Sequence, residues 1–116
     1  MSKPLVLRSL AERDIEAATA HYGSEGGVEL ALRSIDALEA ALGRVARHPR
    51  TGSPRYASEL DLPGLRFRPL KRFPHLIFYV EGEDHVDVWR VLQEQRDIPA
   101  RLQEGKQTAS GAAGES

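Results

Sequence analysis

His75-Leu76-Ile77-Phe78-Tyr79-Val80 and, past Glu81-Gly82-Glu83-Asp84, His85-Val86-Asp87-Val88-Trp89-Arg90-Val91-Leu92 are the segments whose reading decides the fold. The first is an apolar run of β-branched and aromatic residues without polar alternation, so it reads as a central strand covered on both faces. Gly82-Glu83-Asp84 is a hairpin turn. The second segment is the next strand, with Asp87, Trp89 and Val91 on one face and Val86, Val88, Arg90 and Leu92 on the other. In this register His75 and His85 face each other as an ordinary cross-strand pair. Upstream, Leu65-Arg66-Phe67-Arg68 alternates apolar and basic residues, as a strand with one wet face does. Pro63-Gly64 leads into it, and Lys71-Arg72-Phe73-Pro74 connects it to the central strand.

Before residue 50 the period changes from two to that of a helix. Residues 4–8 read as a short first strand. Ser9-Leu10-Ala11-Glu12 then reads as a capping box. Ala11, Ile15, Ala18 and Tyr22 recur at helical spacing, and Gly23 with Gly26-Gly27 ends the first helix. A second helix runs to about Arg47, with Val28, Leu32, Ile35, Leu38, Leu42 and Val45 as its apolar stripe. Both stripes are expected in the core, the two helices forming a hairpin, with the alanines of the second letting another element approach closely. Pro49 stops the second helix, and Thr51-Gly52-Ser53-Pro54 is a loop. Residues 96–102 read as a short helical turn packing Ile98 and Leu102 on the body. The expected fold is a two-layer α+β domain over residues 1–104, ordered β-α-α-β-β-β-(short α), with the hairpin on one face of a small, largely antiparallel sheet. The other face is expected to lack a helix cover and to be where a partner or ligand lies. Residues 105–116, rich in Gly, Ala and Ser, are expected to be a disordered tail.

Composition narrows the chemistry. The 116 residues suit one domain and include no cysteine, which excludes disulfides, thiolate nucleophiles and Cys-based metal sites. No apolar run approaches the ~18 residues of a membrane span. A net charge of −1 argues against a surface devoted to nucleic acid. The basic residues are skewed, however: 13 of 16 are arginine, suited to bidentate and stacked recognition. Arg44, Arg47, Arg50 and Arg55 occupy one acid-free stretch, and Arg66, Arg68, Lys71 and Arg72 another. His21, His48, His75 and His85 show no metal-ligand spacing, and there is no glycine-rich nucleotide signature or serine nucleophile motif, so neither cofactor nor metal is expected. Pairing of the late strands is expected to cluster Arg66, Arg68, Arg90 and Arg96. A metal-free ribonuclease needs such cations together with a general acid and base. Near the end of the last strand only Glu94 ionises, so a structural or partner-docking role for the arginines is favoured.

The pattern resembles the RelE/ParE superfamily of type II toxins, and within it the ParE-like branch. The resemblance rests on Ala11 with Asp14-Ile15, Tyr22 followed by Gly26-Gly27, Ala31 and Leu38, Pro49-Arg50-Thr51-Gly52, Leu62-Pro63-Gly64-Leu65-Arg66, Arg72-Phe73-Pro74-His75-Leu76-Ile77-Phe78-Tyr79, and Arg90-Val91-Leu92 with Arg96-Asp97-Ile98-Pro99. It implies a RelE/ParE-like fold and a cytoplasmic bacterial toxin encoded with a small antitoxin. ParE toxins inhibit DNA gyrase without enzymatic chemistry; RelE-like relatives cut messenger RNA on the ribosome, and many superfamily members carry a histidine where Gln93 stands. The implied partners are a cognate, usually acidic antitoxin, in a hetero-oligomer, and gyrase as target; sequence-specific DNA binding by this chain alone is not implied. The antitoxin is expected to wrap an extended or helical C-terminal segment along the helical hairpin and sheet. Arg66, Arg68, Arg90 and Arg96 are the expected contact residues, with Tyr79 and Trp89 as aromatic anchors or core. Two alternatives remain. One is a ribonuclease with Arg66, Arg90 and Arg96 on phosphate and Glu94 as base. The other is an inactive relic that only binds antitoxin.

Overall fold

A computed structural model describes residues 2–94 and 97–103. The elements are β1 (Leu5–Leu7), α1 (Ser9–Arg47), a 3-10 turn at Pro49–Thr51, α2 (Arg55–Glu59), β2 (Leu65–Pro69), β3 (His75–Glu81) and β4 (Val86–Gln93), then a helical segment α3 at 98–103. The expected tail and Arg96 lie outside the described residues.

α1 is a single element in the chain order but cannot be straight. Its 39 residues would span about 58 Å at 1.5 Å each, against a longest extent of 41 Å for the fold. The interruption is at Gly26 and Gly27, whose backbone is non-helical; Gly27 has φ 74°, a left-handed value that glycine adopts without steric cost. Two arms, 9–25 and 28–47, result. Near the bend a Cβ on Gly23 would lie 3.8 Å from the Ala31 Cβ, so the arms approach closely there. The expected capping box does not form. The helix starts one residue early, Arg8 is the N-cap with no side-chain cap bond, and Ser9 is already helical. The Arg8 guanidinium instead grips Asp87 of β4 at 2.7–3.1 Å.

The second arm is also rotated from its expected setting. Its buried row is Ser34, Leu38, Ala41 and Val45, whereas Val28 and Leu32 are 75% and 54% exposed. The stripe expected in the core is therefore only half buried. Its first two members lie within five residues of the Gly27 bend, outside the buried row.

The sheet order is β1-β4-β3-β2. β1 lies at one edge, parallel to β4, while β2, β3 and β4 pair antiparallel. The central position of β3 is as expected. The expected faces of β4 are not, because Phe78 pairs with Arg90 and Tyr79 with Val88. Trp89 is an extra residue, and a β-bulge reverses the alternation beyond it. Val86, Val88 and Val91 consequently join one cluster with Ile77, Tyr79 and α1. Trp89 and Leu92 join another, with Leu65, Leu76 and Phe78. That second cluster corrects the expectation of an open sheet face: α2, unforeseen from the sequence, brings Tyr56 and Ala57 to it, and α3 brings Ile98 and Leu102. Burying a Leu, Ile, Val or Phe side chain is worth about 1.5–3 kcal/mol, so both layers contribute to stability.

Candidate functional site: a helix-edge groove and the arginines

The loop before α2 is held from β2 and β3. Arg66 donates to the Gly52 carbonyl at 2.8 Å, and Arg68 donates to the Thr51 hydroxyl. Tyr79 is fully buried and donates its hydroxyl to the Pro49 carbonyl at 2.7 Å. Burial pushes its phenol above the ordinary value. A Cβ on Gly52 would sit 2.1 Å from that phenolic oxygen, so the contact requires glycine. The Pro49-Arg50-Thr51-Gly52 motif is thus an acceptor strip for β2 and β3, made of two backbone carbonyls and the Thr51 hydroxyl. Tyr79 is a core residue rather than a surface anchor. Arg66 and Arg68 are half-buried, and the Arg68 Nε is buried without a hydrogen-bond partner.

Arg90 is placed elsewhere. It is 4% exposed and meets both Asp14 oxygens at 2.8 Å and the Arg101 carbonyl at 3.0 Å. Asp14 also accepts the Val91 N–H at 2.9 Å. β1 pairing ends at Leu7 opposite Val88, so Asp14 caps the stretch of β4 edge that β1 leaves unpaired. The expected cluster of Arg66, Arg68 and Arg90 is therefore split between two sets of partners: Arg90 locks the first arm of α1 to β4 and α3, while Arg66 and Arg68 hold the loop. Trp89, half-buried, has the Arg8 guanidinium 4.4 Å from its ring centre. Glu94 is exposed, and its N–H donates to the Pro74 carbonyl.

Beside the Asp14–Arg90 pair is a cleft of about 370 Å³ that His21, His75, Gln93 and Arg101 also line. His75 is 6% exposed and pairs across the sheet with Gln93. His85 lies outside both strands and contacts Asp84 at 2.9 Å, so the expected His75–His85 pair does not form. The Tyr22 hydroxyl lies 3.4 Å from the His75 Nδ1. Burial, then the charge of His21, push the His75 imidazole below its ordinary value; Asp14 opposes them. In the ribonuclease alternative Arg90 would stabilise phosphate, yet here its charge is already matched by a carboxylate.

A larger groove, about 560 Å³, runs between the second arm of α1 and the β2–β3 connection. Ala37, Ala40 and Phe73 contribute apolar surface, and Arg33, Arg44, Lys71 and Arg72 contribute charge. In the sequence Arg44 belongs to one acid-free run and Lys71 and Arg72 to another, while Arg33 stands between Glu29 and Asp36. Among the described residues, no three His, Asp or Glu side chains come together as a metal site, and no helix is long and apolar enough to cross a membrane.

Comparison with known proteins agrees with this architecture. The family described as ParE toxin of type II toxin–antitoxin system, parDE, matches residues 5–98. Toxin ParE1 of Mycobacterium tuberculosis is 33% identical over 103 residues, covering 88% of this chain and all of the relative, in strain CDC 1551 / Oshkosh and in strain ATCC 25618 / H37Rv alike. A solved structure described as a chromosomal ParDE TA system from P. aeruginosa superposes with a TM-score of 0.66 at 21% identity, covering 79% of this chain and 96% of that one; at that identity the likeness speaks for the fold. With the family matched from β1 to the start of α3, and a curated relative aligned along its whole length, the chain belongs to the ParE toxin family of type II toxin–antitoxin systems.

Proposed function

We propose that this chain inhibits DNA gyrase by protein–protein binding and is neutralised by a cognate antitoxin in a hetero-oligomer. The observation that carries the reading is the family match over residues 5–98. The internal engagement of Arg90 supports a docking protein over an RNA-cleaving one, since an arginine matched to a buried carboxylate contributes less to a developing phosphorane charge than an open one. Arg66 and Arg68, half-buried on edge strand β2, are the proposed contact residues of the original set, with Arg96 beyond the described region. An acidic antitoxin suits them, electrostatic matching raising the association rate more than the affinity.

The test is a supercoiling assay on gyrase with purified chain, scoring trapped cleaved plasmid, with an RNA substrate in a parallel tube. Trapped plasmid and intact RNA are expected. Cleaved RNA with unaffected gyrase would overturn the reading in favour of the ribonuclease alternative. If both substrates were unaffected while antitoxin still bound, the gyrase assignment would fall and the antitoxin partnership would stand.

A further inference from the structure

The sequence keeps two stretches free of acid, 40–58 and 62–80, and the fold brings them side by side. Arg44 of the first stretch and Lys71 and Arg72 of the second line the groove beside the second arm of α1. On the arm itself Arg33, Ala37, Ala40, Arg44 and Arg47 recur at steps of four, three, four and three, which sets them on one helical face. Arginines mark both ends of that stripe and alanines lie between, so a bulky surface can approach the helix closely. From Arg33 to Arg47 the stripe runs about 21 Å. Arg72 holds its place beside it at φ 68°, where glycine is the unstrained residue.

The stripe continues past the end of the helix into a second hollow, of about 390 Å³. Arg47, His48 and Arg50 line it with Lys3 and a single acid, Glu81. One Glu81 oxygen takes the Lys3 ammonium at 2.8 Å and the other the Arg50 guanidinium at 3.4 Å, so three cations share one carboxylate. Basic residues in the last turn of a helix ordinarily serve its open carbonyls and its dipole. Here the carbonyls at that end have other donors. Ala46 accepts the Lys3 N–H at 3.0 Å, Arg44 the His48 N–H at 2.8 Å, and His48 the Thr51 hydroxyl at 2.8 Å. Among the described residues the side chains of Arg33, Arg44, Arg47, Lys71 and Arg72 make no hydrogen bond or ion pair, and all five are exposed.

We propose that this cationic band makes sequence-independent contact with the phosphates of duplex DNA. The choice of DNA rests on the gyrase reading above, in which the target holds cleaved DNA, and deepens it by giving that DNA a surface on the toxin. The hollow at the helix end offers cations but only Ala46 and Pro49 as apolar lining, short of the large buried anchor that a protein interface turns on. Phosphate contact asks for cations and is indifferent to base sequence. The planar fork of arginine suits a phosphate, and a stripe of about 21 Å lies along roughly six base pairs of a duplex at 3.4 Å each. A net charge of −1 keeps the affinity low, as fits a surface that adds to a protein contact.

The test titrates the full chain into a fluorescent duplex of about 24 base pairs, several times the length the stripe covers, and reads anisotropy from low to physiological salt. Saturable binding is expected, with a log–log salt slope of about −3 to −4, the value for roughly four phosphate contacts. Duplexes of unrelated sequence should bind alike. Arg44→Glu and Arg47→Glu should each weaken binding by about tenfold and reduce the slope by about one. Arg13→Glu, exposed on the first arm and outside the band, should change binding by less than about twofold at physiological salt. Absence of saturable binding at low salt would overturn the proposal. So would equal losses from Arg13→Glu and Arg47→Glu, a strong preference for one sequence, or tighter binding of an RNA duplex. In the gyrase assay the chain carrying Arg44→Glu and Arg47→Glu should still be captured by the enzyme but trap less cleaved plasmid. A parent chain that traps plasmid yet binds no duplex would overturn the band and leave the gyrase reading. A parent that binds duplex through Arg47 yet traps no plasmid would remove the gyrase reading and leave the band.

Discussion

Replacing Asp14 with Ala tests how far the architecture hangs on one buried ion pair. The substitution removes both oxygens of the Asp14 carboxylate from an arginine whose side chain is 5% exposed and leaves the Val91 N–H without its acceptor. Breaking a buried pair from one side costs about 3–5 kcal/mol, because the surviving charge stays desolvated. Domains of this size have about 5–15 kcal/mol of stability in all. At roughly 4–8 °C per kcal/mol, a loss of 3 kcal/mol lowers the melting temperature by about 12–24 °C. The assay is urea denaturation followed by tryptophan fluorescence, for the one tryptophan in the chain is Trp89, adjacent to Arg90. Removing both charges with Asp14→Leu and Arg90→Met should recover most of the loss, since apolar replacement of a whole buried pair is often neutral or better. An Asp14→Ala chain within about 0.5 kcal/mol of the parent would refute the reasoning, because surface substitutions already move stability that much. A double variant as unstable as Asp14→Ala would show that shape, not charge pairing, is what the site supplies.

Three further outcomes follow from the geometry. Gly52→Ala should destabilise strongly, since its Cβ would fall 2.1 Å from the Tyr79 hydroxyl, and Tyr79→Phe should cost about 0.5–1.5 kcal/mol for the bond to Pro49; thermal melts of Gly52→Ala with and without Tyr79→Phe should show partial rescue. Stability should fall on acidification from about pH 7 to about pH 5. His75 has a lowered pKa in the fold, so below the ordinary value near 6.5 the unfolded chain takes up the proton first; the slope is at most about 1.4 kcal/mol per pH unit, and His75→Gln should flatten it. Arg66→Ala with Arg68→Ala should weaken antitoxin binding, measured by calorimetry, while the chain stays folded; a melted variant would assign both arginines to holding the loop alone.

The parts of this fold legible in the sequence were those with strong local periodicity. The β3 run carried its own evidence in consecutive β-prone residues, and Gly26-Gly27 marked the bend because a left-handed backbone asks for glycine. The misreadings share another cause, which is that tertiary contacts decided them. Trp89 looks like any strand residue, and only its neighbour's pairing makes it a bulge that inverts the expected faces beyond it. Val28 and Leu32 continue a faultless helical stripe, but burial needs a surface opposite, and near the bend the buried row begins only at Ser34. α2 is five residues long, too short for periodicity to register, yet it helps cover the face that looked open. The site was less legible for the same reason. Arg66, Arg68 and Arg90 are identical in type and close in strand position, and what separates them is the acceptor each one meets: a loop carbonyl, a threonine hydroxyl, a carboxylate.

That separation bears on what the family resemblance can say about partners. Asp14 and Arg90, Gly52, Tyr79 and the Pro49 carbonyl are all motif positions, and each is occupied with an internal contact. They explain why the chain folds as a ParE toxin. Of the groove's four cations, only Arg72 lies in a motif stretch; Arg33, Arg44 and Lys71 do not, and all four point their charge outward. If partner choice resides in such outward charges, it can be altered without touching the fold. Reversing Arg33 and Arg44 together should abolish duplex binding while leaving the melting temperature within a few degrees of the parent, because exposed charges contribute little to stability. A matched pair of duplex titrations, parent and reversed chain, each with a thermal melt, distinguishes this from a fold-level effect. Lost binding by a chain that still melts with the parent places the contact on the outward charges. Lost binding with a lowered melting temperature would place those arginines among the residues that hold the arm in position.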